Sequence, residues 1–98
     1  ACARNAGIRA ARGAVTLLIG DDTLPRSDLV GRHLAHHEAH PGLSEAALGL
    51  TRWCETSQRV NRYMRWAGAY GIQFHYAHLL AGGEADWRHF YTSNLSLK

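Results

Sequence analysis

The sequence predicts an all-α chain of two to four helices, on three observations. No stretch of useful length alternates apolar and polar residues with period two. Leu48, Leu50, Trp53, Val60, Met64 and Ala67 recur at intervals of threes and fours, the spacing of one helix face. Residues 44–81 contain no proline to interrupt such a face.

Taken in order, residues 1–20 form a basic arm. Arg4, Arg9 and Arg12 stand among Ala and Gly with no acid, which resembles an organellar targeting segment. Within it, Ala14–Ile19 is the only rival for a strand. Residues 21–98 then read as a single helical domain or subunit. "GDDTLPRSD" supplies the cap candidates Asp22, Thr23 and Ser27, and Pro25 suits a first turn. A helix follows from about Ser27 to His40 and stops at Pro41–Gly42. Ser44 caps a long helix over about 44–81, either continuous or broken near 54–57, where Thr56 and Ser57 offer caps. Gly82–Gly83 ends it, "EADWRHFY" adds one or two turns, and "TSNLSLK" reads as a tail.

Ninety-eight residues make at most one domain. The net charge of +3 is too mild for a dedicated nucleic-acid binder. Ten Arg against one Lys, Lys98, suits interfaces, because guanidinium is weakly hydrated and pairs bidentately; a GC-rich coding sequence gives the same bias. Two cysteines, Cys2 and Cys54, are too few for a disulfide framework. There is no nucleotide loop and no Ser-centred elbow, and the eight acids are scattered. No catalysis and no cofactor are expected.

Residues 66–83, "WAGAYGIQFHYAHLLAGG", carry no formal charge. The run predicts a marginal single membrane span, with a buried soluble helix as the other explanation. Gln73, His75 and His78 interrupt it. Tyr63 and Trp66 on one flank and Trp87 on the other read as interfacial anchors. Arg59, Arg62 and Arg65 crowd the N-terminal flank, where they would meet anionic lipid or the carboxylates of neighbouring subunits. Their excess over the acidic far flank puts the N-terminus on the matrix side. Gly68 and Gly71 would let another helix approach closely.

Arg62–Tyr63, then "GAYG" at Gly68–Gly71 and an aromatic-rich continuation, resemble the small-residue span of ATP synthase subunit e. At class level the chain is similar to the small supernumerary subunits of mitochondrial inner-membrane complexes. The resemblance implies a non-catalytic accessory subunit of the respiratory chain or ATP synthase. It would brace its neighbours in the inner membrane, with other subunits as partners and no nucleic acid.

"HLAHHEAH", residues 33–40, holds four of the seven histidines. On a helix His33, His36, His37 and His40 fall within an arc of about 100°. His33/His37 and His36/His40 each allow two-point metal ligation, but no third ligand is placed by spacing. No required metal is therefore expected; a polar contact, strengthening below about pH 6.5, is. The alternative function is a small soluble helical domain. It would bind metal through this cluster, or DNA through a helix-turn-helix over 43–66, with Gln58, Arg59, Asn61 and Arg62 as base readers. Trp53 and the lack of Gly in the turn disfavour the second.

Overall fold

In the computed structural model, which describes every residue except Ala1 and Ser57, the all-α expectation is corrected. A three-stranded antiparallel sheet organises a mixed α/β chain. The strands are β1 (Thr16–Ile19), β2 (Ala46–Leu48) and β3 (Asn94–Leu97), in the order β1-β3-β2. The expected tail is thus the central strand. Leu95 pairs with Leu18 on one side and Leu48 on the other, and Ser96 pairs with Leu17 and Ala47. Residues directly opposite share a face. Leu18, Leu95 and Leu48 therefore line one face, and Leu17, Ser96 and Ala47 the other. Leu95 is 2% exposed and Ser96 0%.

Among the described residues there are four helices: α1 (Cys2–Ala10), α2 (Leu29–Ala39), α3 (Arg62–Ala69) and α4 (Tyr76–Leu80). A 3-10 turn spans Trp87–His89. Helix α2 follows the sequence closely. Arg32 bonds back to Asp28 at 2.8 Å across its first turn, and it ends before Pro41. The basic arm contributes α1 and β1.

The long helix over 44–81 does not form. Residues 46–48 pair with β3 instead, because Gly49 admits a close approach there. The Gly49 N–H donates to the Asn94 carbonyl at 2.8 Å, and any side chain at Gly49 would collide with the Asn94 side-chain amide. Helix resumes only at Arg62, where the Asn61 side chain accepts the Met64 N–H at 2.9 Å. The cap expected at Ser57 lies outside the described residues. The helix-turn-helix over 43–66 is also corrected, since its supporting segment contains a strand and its recognition segment is mostly irregular.

Nor do residues 66–83 make one span. Gly71 takes φ +68°, and the Ile72 N–H returns to the Ala67 carbonyl at 3.1 Å. That bond closes a Schellman stop, which favours glycine at the left-handed position. Gly82, at φ +86°, ends α4 in the same way, with the Gly83 N–H on the His78 carbonyl at 3.0 Å. Helices of 8 and 5 residues remain, whereas a bilayer core of about 30 Å needs about 20. Among the described residues no helix is long and apolar enough to cross a membrane. The Gly68–Gly71 segment is a helix end, not a stretch of span.

The two glycines should therefore respond with opposite sign. Gly68 lies inside α3, and a new Cβ would meet only Trp53 at 3.7 Å. Gly68→Ala should raise stability by about 0.5–1 kcal/mol. Gly71→Ala should lower it by about 1–2 kcal/mol, through left-handed strain and contact with the His75 ring. Urea midpoints of the two variants check this.

Candidate functional site: a sealed imidazole relay and an exposed aromatic stripe

The sequence places His33 and His37 one turn apart on α2, and the fold lays that turn over β3. Both rings are buried. The Ser96 hydroxyl stands between them, 2.7 Å from His33 Nδ1 and 2.8 Å from His37 Nε2. His33 Nε2 lies 2.9 Å from Asn94 Oδ1. The partners fix the tautomers. Asn94 Oδ1 only accepts, so His33 Nε2 carries the proton and His33 Nδ1 accepts from the Ser96 O–H. Ser96 Oγ in turn accepts from His37 Nε2–H. One hydrogen-bonded chain, His37 to Ser96 to His33 to Asn94, pins the helix to the sheet. Ala47, small and buried, sits beside Ser96 on the same face. The Lys98 ammonium reinforces the helix end, donating to the carbonyls of His37 and His40 at 3.1 Å each.

A Ser–His–Asn set can suggest acyl-transfer chemistry. Here Ser96 is sealed, and its oxygen already accepts from His37. No substrate carbonyl can reach it. The metal reading of 33–40 meets a similar obstacle, since both His33 nitrogens and His37 Nε2 are engaged. His36 and His40 lie apart from the relay, stacked with ring centroids 4.4 Å apart. Burial of the His36 ring, helped by neighbouring His40 and His37, holds its pKa below the ordinary imidazole range.

The expected contact residues gather on and around α3. Tyr63, Trp66 and Tyr70 form a ladder, with successive centroids 5.7 Å apart. All three are exposed. Trp53 is also exposed and donates from Nε1 to the Met64 carbonyl at 3.0 Å. Arg59 and Arg62 are exposed, while Arg65 faces Glu55 at 3.5 Å. Gly68 is exposed on α3, and Gly71 lies at its stop. Trp87 stands apart at 82% exposure, with the Arg88 guanidinium 6.0 Å from its ring. Tyr70, absent from the expected contacts, extends the stripe; its i+4 spacing from Trp66 was the available signal.

The relay predicts a costly deletion, and His36 beside it a pH dependence. Ser96→Ala leaves two buried ring nitrogens unpaired and should cost about 1–3 kcal/mol. The depressed pKa of His36 means that the unfolded chain binds its proton more readily. Its contribution is complete above about pH 6.5 and is lost as the pH falls through the folded value. Urea midpoints should therefore decline from pH 8 to pH 5, and less steeply in His36→Gln. Comparison with known protein families, with curated proteins and with solved structures finds no significant match.

Proposed function

We propose that the chain is a non-catalytic accessory subunit that completes its apolar packing on a larger protein partner. One observation carries the reading. Among the described residues the buried apolar ones are Ala47, Ala67 and Leu95, while Tyr63, Trp66, Tyr70, Ile72, Leu80 and Trp87 are exposed. Scattered apolar exposure is ordinary, but a contiguous aromatic stripe on a small domain marks an interaction site. Tyr, Trp and Arg are also the residue types that dominate binding hot spots. Arg59 and Arg62 beside the stripe favour a partner with carboxylates at the rim of an apolar groove.

The acid-free Arg4/Arg9/Arg12 arm supports a mitochondrial energy-transducing complex as the assembly. Attachment would be peripheral, through α3, since no described helix reaches across a bilayer. Anionic lipid is a secondary contact for the exposed arginines.

Purification of the native assembly, with crosslinking, tests this. Crosslinks should concentrate on residues 59–70, and Trp66→Ala should weaken association by at least about 2 kcal/mol, roughly 30-fold, without unfolding the chain. A well-folded monomer with no co-purifying chain, and solvent-open Trp66 in its native setting, would overturn the proposal.

A further inference from the structure

Away from both the relay and the stripe, the sheet ends on an edge that nothing covers. In the order β1-β3-β2, β1 has a neighbour on one side only. It pairs Thr16 with Leu97 and Leu18 with Leu95, and the Gly20 N–H continues the ladder by donating to the Ser93 carbonyl at 3.1 Å. Backbone groups alternate sides along an antiparallel strand. Thr16, Leu18 and Gly20 therefore turn theirs toward β3, and Leu17 and Ile19 turn theirs away. Among the described residues no turn or loop bonds to the outward groups of Leu17 and Ile19. The strand, "TLLI", also lacks the charge or proline that usually blunts an edge.

Open space runs along this edge. Two cavities of about 500 and about 380 Å³ share Arg4, Ile19 and Thr92, and so form one groove between α1 and β1. Arg4, Gly7 and Ile8 line its helix side, at the spacing of one helix face. A side chain added at Gly7 would meet nothing within 4 Å. At the Ile19 end, Phe74, Phe90 and Tyr91 form an aromatic wall, with the Phe74 and Tyr91 centroids 5.0 Å apart.

We propose that the outer edge of β1 is a docking site for an extended acidic segment of a partner protein, which adds to the sheet as a fourth strand and sets a carboxylate on Arg4.

The main chain supplies the affinity in this mode of recognition, and the side-chain pockets supply the selectivity. Four residues of strand span about 13 Å, so a segment of about four to six residues matches the edge. Antiparallel addition is the slightly stronger arrangement. Charge selects the occupant. Arg4 borders both cavities and makes no ion pair among the described residues. Arg9 and Arg12 follow it on an arm without acids, so a carboxylate entering the groove meets a positive field. Asp21 borders only the larger cavity. It disfavours an acid at that end and leaves the aromatic wall to an apolar side chain. The same arginines disfavour a second copy of this chain, whose own arm would bring three more to the edge. This site stands apart from the α3 stripe and does not depend on that reading.

The full chain, titrated with the fluorescent hexapeptide acetyl-Thr-Phe-Val-Glu-Val-Thr-amide, tests the site. Saturable binding with one peptide per chain is expected, at least tenfold tighter than for the peptide with Lys in place of Glu. Amide hydrogen exchange at Leu17 and Ile19 should slow on binding, with little change at Leu18, which already bonds to β3. Gly7→Trp fills the groove and should weaken binding at least tenfold with the circular dichroism unchanged. Arg4→Glu, at an exposed position, should reverse the preference toward the Lys peptide. Trp66→Ala should leave binding intact, which separates this contact from the stripe. The proposal fails if the Glu peptide does not bind, if both peptides bind equally, or if binding ignores Gly7→Trp and Arg4→Glu. A dimer in sedimentation that Gly7→Trp dissociates would assign the edge to a second copy and sink it as well.

Discussion

The Ser96 hydroxyl uses both of its hydrogen-bonding directions on imidazoles, and the seating of α2 on the sheet depends on that arrangement. An ordinary helix-on-sheet contact is made of interdigitating Leu, Ile and Val. Here the seam is His33, His37, Asn94, Ser96 and the small Ala47. Such a seam is directional where an apolar one is not. A helix shifted by two residues would leave Ser96 and Asn94 without their partners in a dry place, and half-satisfied buried networks are worse than none. The polar seam therefore fixes register more than it adds stability.

The small apolar core follows from the same choice. With the central strand giving one face to polar contacts, Leu95 and its cross-strand neighbours Leu18 and Leu48 are left to supply the apolar packing on the other. Tyr63, Trp66, Tyr70 and Trp87, large enough to enlarge the core, are instead displayed on and beyond α3. Weak self-packing and a rich external surface are two aspects of one distribution of side chains.

Part of this was legible in the sequence. The limits of α2 were, because Pro41–Gly42 and the cap-rich segment before it act locally. Gly82 was legible as a stop for the same reason. The strands were not. "NLSL" and "AAL" are too short for periodicity to tell strand from tail, and they pair with residues far away along the chain. Gly71 was misread because its conformation, rather than its size, decides its role. The absence of charge over 66–83 suggested a continuous apolar helix, whereas helical continuity depends on whether each glycine enters the left-handed region. At the candidate sites, the shared face of His33 and His37 was visible from their spacing, and two of the three rings of the α3 ladder, Tyr63 and Trp66, from the aromatic clustering. The partners of the two histidines, Ser96 and Asn94, were not, since nothing local links residue 33 to residue 94.

The strand order β1-β3-β2 has a further consequence for how the chain comes into being. The strand that joins the other two is the last element in chain order. A ribosome therefore releases both flanking strands, and the histidine face of α2, well before the segment that unites them. Until residues 94–97 emerge, Leu17, Leu18 and Ala47 have no sheet to join, and the two buried imidazoles have no hydroxyl between them. Such long-range closure is slow and leaves strand edges open to other chains in the interval. The nascent chain thus has a vulnerable period set by topology, in which a chaperone, or a waiting partner for the aromatic stripe, would matter most.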